Sequence, residues 1–228
     1  MIVGTTGAAE LAHYYFARDS DLRVVGFTVD SDYLRESSFK DLPVVPFEEV
    51  TTQFPPERYS MFVAIGYAKV NRLRAEKYFA GKKLGYQFAS YISSRCTYLT
   101  EHPAGENCFI LEDNTIQPFV EIGNNVTIWS SNNIGHNTVI RDHCFVTSQV
   151  GVAGLVEVGE YSFLGVGSCV RDGIRIGKRN IIGMGTVITR HTEDDSVYVA
   201  PKSVKLGIPS AAVAMIGGLG GSARPKDD

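Results

Sequence analysis

Aliphatic residues occupy every sixth position of this chain over a long, unbroken stretch. Fourteen positions follow the rule: Ile110, Ile116, Ile122, Ile128, Ile134, Ile140, Val146, Val152, Val158, Leu164, Val170, Ile176, Ile182 and Ile188. A period of six matches neither the 3.6-residue repeat of an α-helix nor the two-residue alternation of a β-strand. It is typical of hexapeptide repeats that wind a parallel β-helix, and this region is predicted to form one.

Glycine often follows these aliphatic residues directly. It does so at Gly123, Gly135, Gly159, Gly165, Gly177 and Gly183. A chain that turns a corner in every hexad needs sharp bends, and glycine adopts positive φ at little cost. We therefore expect these glycines to form the corners of the coil.

The first ninety residues follow a different pattern. An apolar strand leads into a turn at Gly4–Glu10, a helical pattern follows, and residues 22–29 resemble a second strand. Strands that alternate with helices predict a small parallel sheet. The predicted fold is thus α/β plus all-β, with a small Rossmann-like βαβ domain in residues 1–92 followed by the β-helix in residues 93–205. Residues 206–228 are predicted to form a glycine-rich C-terminal segment that is mobile at its end.

Composition argues against several classes of protein. The chain has 228 residues, 44% of them hydrophobic, and a formal net charge of −3. We expect neither a nucleic-acid nor a membrane partner, because the chain has no block of like charge and no apolar run of about 18 residues. The start lacks the basic region of a secretion signal. Four cysteines in no metal-ligand spacing indicate reduced side chains and a cytoplasmic protein.

The hexad run resembles that of the hexapeptide-repeat acyltransferases. That resemblance implies a left-handed prism with three flat faces and three hexads per coil, although parallel crossovers are normally right-handed. A nucleotide-fold module followed by such a prism is also the layout of the bacterial PglD/NeuD-like nucleotide-sugar N-acetyltransferases, and this resemblance covers nearly the whole chain. It implies an enzyme, a homotrimer, acetyl-CoA as co-substrate, and a nucleotide-linked amino sugar bound by the first domain, in lipopolysaccharide or O-antigen biosynthesis.

The predicted catalytic residues lie just after Ile134. His136 follows it by two places, as the base does in the family motif, and an unperturbed histidine ionises near neutral pH, as a general base requires. The family usually has Glu or Asp after that histidine, whereas this chain has Asn137, which leaves Asp142 as the nearest carboxylate in sequence. One full coil further on, Gly154 would lie beside His136 and offer its N–H to a thioester oxygen, as the family's glycine does.

The resemblance also implies a cofactor site along the prism. Its predicted residues are Phe145, Gly154, Val166 and Met184. Val166 and Met184 are separated by one full coil of three hexads and would stack in one column beside a pantetheine arm. Phe145 stands nine places after His136, where the family often has a second histidine near the thioester sulfur. Its ring would leave the acyl pocket more apolar, so a donor larger than acetyl-CoA stays open.

Seven residues are candidates for binding the nucleotide sugar: Gly4, Thr5, Thr6, Gly7, Asp30, Trp129 and His143. The Gly4–Gly7 turn would present N–H groups and a helix N-terminus to a phosphate, although a purely structural turn fits the same residues. Asp30 ends the second predicted strand and is a candidate for contacting the base or ribose. Trp129 fits either a sugar platform or trimer packing.

His143 is expected to help line the sugar pocket. Together with His136 it resembles part of the zinc cluster of the γ-type carbonic anhydrases. Those use a different spacing and a third histidine, and His102 and His191 fall far along the prism axis. No metal is therefore predicted.

Two other functions fit the same residues. A sugar or sialic acid O-acetyltransferase would use the same base on a hydroxyl group, and nothing in the sequence separates amine from alcohol. A non-catalytic trimeric binding protein is favoured slightly by Asn137 and Phe145. The sequence also leaves open the sugar, the nucleobase and the acyl chain.

Overall fold

The N-terminal part of the chain is a small sheet with flanking helices. The computed structural model describes residues 1–205, 207 and 209–210. The rest of the predicted C-terminal segment lies outside the described residues. In chain order the elements of the N-terminal part are β1 (Ile2–Val3), α1 (Gly7–Arg18), β2 (Phe27–Val29), a 3₁₀ turn (Ser31–Tyr33), β3 (Ser38–Phe39), β4 (Leu42–Pro46), a second 3₁₀ turn (Phe47–Glu49), α2 (Val50–Gln53), β5 (Phe62–Val63) and α3 (Arg72–Lys83).

The strand order of this sheet creates a crevice at one point. The order is β3-β4-β2-β1-β5, and all pairs except β3–β4 are parallel. The chain moves from β1 to β2 and β4 on one side, and then returns to place β5 on the other side of β1. In open α/β sheets, ligands bind beyond the carboxyl ends of the strands at such a topological switch point. The predicted βαβ opening is confirmed as β1, α1 and β2.

Helix α1 begins at the carboxyl end of β1. Thr6 is its N-cap and has extended backbone angles. Ala9, Ala12 and Phe16 are buried, and their spacing of three and four places puts them on one face of the helix. That face packs on the sheet in a cluster that includes Phe27. The first turn of α1 therefore lies at the switch point.

From Tyr91 onward the described chain winds strands of two residues each. In chain order they are β6 (Tyr91–Ile92), β7 (Thr97–Tyr98), β8 (Phe109–Ile110), β9 (Thr115–Ile116), β10 (Glu121–Ile122), β11 (Thr127–Ile128), β12 (Asn133–Ile134), β13 (Val139–Ile140), β14 (Phe145–Val146), β15 (Gly151–Val152), β16 (Glu157–Val158), β17 (Phe163–Leu164), β18 (Cys169–Val170), β19 (Arg175–Ile176), β20 (Ile181–Ile182), β21 (Val187–Ile188) and β22 (Val197–Tyr198).

These strands form three parallel sheets, which are the faces of a left-handed β-helix, as predicted. We call them face 1 (β6, β8, β11, β14, β17, β20 and β22), face 2 (β7, β9, β12, β15, β18 and β21) and face 3 (β10, β13, β16 and β19). The chain passes from face 1 to face 2 to face 3 and back. Each edge of the prism is named below by the two faces that meet there, so that the 2/3 edge is the one opposite face 1.

Successive coils stack at an interval of three hexads, as in the pairing of Ile134 with Val152. The interval is shorter at the last pair, where Ile181 lies opposite Val197. The first coil begins at Tyr91, which is one coil before the predicted run of aliphatic residues. Its strand β6 reaches the predicted domain boundary at residue 92, and that boundary stays a prediction.

The interior of the prism is mostly apolar and contains a ladder of paired amides. Every hexad aliphatic from Ile110 to Ile188 is at most 5% exposed. In the ladder, Asn132 Nδ2 donates to Asn114 Oδ1 at 2.9 Å, and Asn132 Oδ1 accepts from the N–H of Val150 at 2.7 Å. The buried amides are paired with each other and with the backbone, which is how polar groups are accommodated in a protein interior.

The glycines after the hexad aliphatics have a different role from the predicted one. None of those six glycines has positive φ; the left-handed conformation falls two places later, at positions such as Asn137 and Tyr161. A Cβ atom at Gly135 would lie 2.5 Å from the carbonyl carbon of Ala153 on the next coil. These glycines therefore let adjacent coils approach closely, and other residues make the bends.

The N-terminal domain packs on face 1 of the β-helix. Four outward-facing residues of this face, Tyr91, Phe109, Thr127 and Phe145, are at most 8% exposed. The C-terminal end of α1 is anchored there, because Asp19 accepts hydrogen bonds from Tyr91 Oη at 2.6 Å and from a backbone N–H at 2.9 Å. These bonds lower the pKa of Asp19 to about 2.

Arg74 connects α3 with the prism. Its side chain is buried and donates to the carbonyl oxygens of His143 and Cys144 at 2.9 and 3.0 Å and to Oδ1 of Asn125 at 3.2 Å. Among the described residues no carboxylate lies within ion-pair distance of it, and burial lowers its pKa to about 10. The guanidinium therefore holds the domains together through hydrogen bonds to neutral groups.

Candidate active site

His136 lies on the 2/3 edge of the prism, between β12 and β13. Its side chain is exposed. Its backbone carbonyl and N–H are both hydrogen-bonded. The carbonyl oxygen of His136 accepts from the N–H of Leu155 at 2.9 Å, and its own N–H donates to Oε1 of Gln117 at 2.9 Å. The edge therefore presents an imidazole on a fixed backbone to the solvent.

Asn137 fixes the orientation of this imidazole. Its Oδ1 lies 3.0 Å from Nδ1 of His136. Because the amide oxygen can only accept, Nδ1 carries the proton and Nε2 of the neutral ring is left with a lone pair. Asn137 has φ of 57°, which asparagine tolerates better than most residues. It can set the tautomer but cannot neutralise an imidazolium.

Gly154 lies directly beside His136 on the next coil. A Cβ atom at this position would lie 2.6 Å from Nε2 and 2.7 Å from Cε1 of the imidazole, so the ring occupies the space of the missing side chain. Among the described residues, the N–H of Gly154 has no acceptor. A ring nitrogen with a free lone pair and an unpaired backbone donor thus lie together at an exposed edge.

Asp142 does not supply the missing carboxylate. It follows β13 on the 3/1 edge, where its Oδ1 accepts from the N–H of Asn124 at 2.7 Å. That bond between coils holds its carboxylate on a different edge of the prism from His136. The nearest carboxylate in sequence therefore does not reach His136 within one chain.

The turn after β1 lies at the switch point of the sheet. Gly4 has φ of 116°, and a Cβ atom there would lie 3.0 Å from the carbonyl oxygen of Ala64. Gly7 begins α1, and nothing lies within 4 Å of the place where its Cβ would be. Thr5 and Thr6 complete the turn, and the N-cap residue Thr6 makes no side-chain cap. The first N–H groups of α1 are thus open to an anion.

A cavity of about 250 Å³ lies beside this turn, between the sheet and the prism. Its walls come from the start of α1, the end of β5 and face 1: Gly7, Ala8, Leu11, Phe62, Val63, Ala64, Ile65, Gly66, Tyr67, Phe109, Thr127, Trp129 and Phe145. Almost all of these side chains are apolar. The partly exposed rings of Trp129 and Tyr67 are available to a flat or apolar group of a ligand.

Phe145 lines this interdomain cavity. Its ring is 3% exposed and packs against Tyr67, with 5.3 Å between ring centroids, and near Trp129 at 6.0 Å. It lies on face 1, which is opposite the 2/3 edge that carries His136. Within one chain Phe145 is thus distant from His136 and covered by the N-terminal domain, and its contact with the cofactor stays a prediction.

His143 is also placed differently from the prediction. Its imidazole is 3% exposed and packs against Phe79 and Tyr161, with centroid distances of 5.2 and 4.6 Å. Its Nδ1 lies 2.9 Å from the amide nitrogen of Asn125, and burial lowers the pKa of His143 to about 4. It is a neutral packing residue under α3 and does not line the cavity, so its predicted sugar contact is corrected.

The other predicted ligand residues are accessible. Val166 and Met184 are 42% and 73% exposed and lie in one column of the 1/2 edge, so in a single chain they are on a different edge from His136. Asp30 follows β2 at the carboxyl edge of the sheet and forms an ion pair with Lys77 of α3. Its carboxylate is thus already partly neutralised on the side that faces the helix.

The described part of the chain has neither a group of three His, Cys, Asp or Glu side chains arranged for a metal ion nor a helix able to cross a membrane.

Gln117 is the site residue that the sequence did not predict. It follows Ile116 directly, one coil below, and its side chain is half-buried. No spacing rule relates a residue in this position to the backbone of His136. The only signal in the sequence is that Gln117 is long and polar and lies about one coil before the predicted base.

Known proteins resemble this chain to different extents. No family model matches it. It is 36% identical over 67 residues to an acyl-[acyl-carrier-protein]–UDP-N-acetylglucosamine O-acyltransferase of Stutzerimonas stutzeri, which is 29% of this chain and 26% of that protein. The chain therefore spans about a quarter of the length of this curated relative.

Solved structures match nearly the whole described fold. PerB from Caulobacter crescentus, solved with CoA and GDP-perosamine, is 25% identical with a TM-score of 0.75, covering 86% of this chain and 91% of that one. The acetyltransferase domain of PglB from Neisseria gonorrhoeae, solved with acetyl coenzyme A, is 19% identical with a TM-score of 0.75, covering 86% and 93%. In both of its domains the chain thus resembles the hexapeptide-repeat nucleotide-sugar acyltransferases, the family that its hexads and its N-terminal module together resembled.

Proposed function

We propose that this chain is an acetyl-CoA-dependent N-acetyltransferase that acylates the amino group of a nucleotide-linked amino sugar. One observation carries the proposal: Nε2 of His136 lies over Gly154, whose N–H is unpaired among the described residues, on an exposed prism edge. The similarity to PerB, which was solved with CoA and GDP-perosamine, supports the same class of reaction.

In the proposed mechanism the sugar amine attacks the thioester carbonyl carbon directly. Nε2 of His136 takes the proton that the amine loses as the new C–N bond forms. The N–H of Gly154 donates to the oxygen of the tetrahedral intermediate, where negative charge develops. Breaking of the C–S bond then restores the carbonyl, and the thiolate leaves as the CoA thiol after receiving a proton from the imidazolium. Asn137 holds the tautomer that makes Nε2 the acceptor.

The nucleotide part of the substrate is assigned to the N-terminal domain. The Gly4–Gly7 turn and the open N–H groups of α1 suit a diphosphate, which a helix N-terminus attracts. Asp30 is placed to contact a ribose or base at the neighbouring strand end. The interdomain cavity, with Trp129 at its mouth, suits an apolar part of the substrate.

These two parts of the site imply a homotrimer. The cavity lies on face 1, whereas His136 lies on the opposite edge of the same prism, so one chain cannot bring both to one small substrate. The exposed apolar side chains of Phe119 and Leu155, 60% and 61% exposed, flank the base on the 2/3 edge and favour its burial against a second copy. Val166 and Met184 of the neighbouring 1/2 edge would then line a CoA groove between copies. A cytoplasmic location and a role in cell-surface glycan synthesis belong to this proposal.

Release of free thiol from acetyl-CoA tests the proposal. The purified protein is incubated with acetyl-CoA and a panel of acceptors: GDP-perosamine, other nucleotide-linked amino sugars, and sialic acid. We expect thiol release with an amino sugar and a loss of about 10²–10⁴-fold in His136→Ala, as is typical for a lost general base. Turnover with hydroxyl acceptors alone would contradict N-acylation, and an unchanged rate in His136→Ala would reject the base.

A further inference from the structure

At three corners of the 3/1 edge, the backbone N–H donates to a side chain of the coil above. The N–H of Glu106 donates to Oδ1 of Asn124 at 2.9 Å, and the N–H of Asn124 donates to Oδ1 of Asp142 at 2.7 Å. The same pattern recurs where Lys178 donates to Oδ1 of Asp194 at 2.9 Å. A side chain one coil further on thus supplies the acceptor.

This pattern cannot operate at His136. The corresponding residue on the coil above is Gly154, which has no side chain, and a Cβ atom there would collide with the imidazole at 2.6 Å. The space that the ring needs therefore leaves no room for an acceptor of this kind. Instead, the N–H of His136 donates to Oε1 of Gln117 on the coil below, at 2.9 Å.

We propose that Gln117 is a positioning residue for the base: its carboxamide holds the backbone of His136 so that Nε2 lies over Gly154. This inference rests on the proposed function only for its effect on turnover. The backbone bond belongs to the free protein, so it can be tested without any substrate. Gln117 does not touch the reacting atoms and acts through His136.

The test compares Gln117→Leu, which removes the acceptor, with Gln117→Glu, which keeps an acceptor oxygen at the same reach. The chain has five histidines, so selective ¹⁵N-histidine labelling gives five backbone amide signals, and His136→Asn identifies the one that belongs to His136. Hydrogen exchange at this amide is expected to become at least about 10-fold faster in Gln117→Leu and to stay protected in Gln117→Glu. Equal exchange in the wild type and both variants would overturn the proposal.

Turnover supplies the second readout, with acetyl-CoA and the acceptor found to be active. We expect kcat to fall about 10- to 100-fold in Gln117→Leu with KM nearly unchanged, because a small displacement of the base affects the chemical step. Gln117→Glu should keep kcat near the wild-type value. It should move the acid limb of the pH–rate profile to higher pH, because the new carboxylate stabilises the protonated ring. A kcat for Gln117→Leu equal to that of the wild type would also overturn the proposal.

Asn124→Leu is the matched control, because Asn124 holds the N–H of Glu106 in the same way on another edge. It is expected to lower stability as Gln117→Leu does but to leave kcat and the exchange of the His136 amide unchanged. A similar fall of kcat in both variants would show that Gln117 acts only on general stability. If no acceptor is ever acylated, the proposed function fails, while the exchange experiment still decides the role of Gln117.

Discussion

The imidazole of His136 occupies the space that a side chain at Gly154 would need, and a Cβ atom there would lie 2.6 Å from Nε2. The two residues are three hexads apart in sequence, which is the stacking interval of adjacent coils at this position. An imidazole and a glycine N–H are thus brought together by the repeat itself. No loop has to fold back to join them.

Gly154→Ala should impair turnover because the new methyl group displaces the imidazole. We expect kcat to fall about 10²-fold, the size of effect seen when one group of an oxyanion site is disturbed. Gly151→Ala is the matched control, since its Cβ would meet only Sγ of Cys169 at 3.6 Å, an ordinary contact. Steady-state kinetics with acetyl-CoA distinguish the two. Full activity in Gly154→Ala would show that the ring does not work from this position.

Asn137→Asp should alter the pH dependence of the reaction. An aspartate at this position can still accept from Nδ1 of His136, and its charge stabilises the imidazolium that proton transfer produces. The acid limb of the pH–rate profile is expected to move to higher pH, whereas Asn137→Ala should lower kcat at every pH. Identical profiles for the wild type and Asn137→Asp would contradict a contact between the two side chains in the working enzyme.

Leu155→Glu should weaken the proposed trimer, because it places a charge among exposed apolar side chains of the 2/3 edge. Light scattering after gel filtration is expected to give the mass of three chains for the wild type and a smaller mass for the variant. Tyr14→Ser is the control, since Tyr14 is 49% exposed on α1, away from that edge. A monomeric wild type would refute the trimer directly.

Arg74→Met should destabilise the docking of the two domains. The substitution leaves the buried carbonyl oxygens of Asn125 and His143 without a donor, and each buried unpaired group costs about 1–3 kcal/mol. We expect a loss of at least about 3 kcal/mol in the free energy of unfolding, measured by urea denaturation. Arg72→Met, at the exposed first position of α3, should change it by less than about 0.5 kcal/mol. Equal stability of the two variants would contradict the role given to Arg74.

His143 should make the fold sensitive to acid. Burial lowers the pKa of His143 to about 4 from its usual value of 6.5, so between these values the unfolded chain binds a proton that the folded chain does not. The free energy of unfolding therefore falls as pH decreases from 6.5 towards 4. His143→Gln should flatten this dependence in denaturation curves collected across that range. The exposed His102→Gln should leave the dependence as in the wild type, and an identical slope in His143→Gln would disprove the assignment.

The repeat made much of the fold and the edge that carries His136 predictable from sequence. The family resemblance implied three hexads per coil, and counting by that interval placed Gly154 beside His136. The positions of Phe145 and His143 were not predictable in this way, because they depend on which face the N-terminal domain covers. That choice is made by contacts between residues distant in sequence, such as Arg74 with the carbonyl of His143, and it leaves no periodic signal.

The contact made by Gln117 and the role of the corner glycines were also not predictable from the sequence. The hydrogen bond between Gln117 and His136 joins different hexad positions on neighbouring coils, whereas the six-residue repeat relates only equivalent positions. The glycines were expected to bend the chain because sequence shows residue type and not φ. Their actual role, close approach between coils, depends on atoms of the next coil.

Because adjacent coils stack at a fixed interval, the prism can lengthen or shorten in steps of one coil. Each additional coil lengthens it by about 4.8 Å, the spacing between neighbouring strands, and leaves the alignment of every existing coil untouched. Duplication or loss of three consecutive hexads beyond Gly154 would therefore lengthen or shorten the prism, and with it the proposed CoA groove, by one coil while His136 keeps its neighbour. A duplication within the gene can thus lengthen the prism without changing the positions of His136 and Gly154 relative to each other.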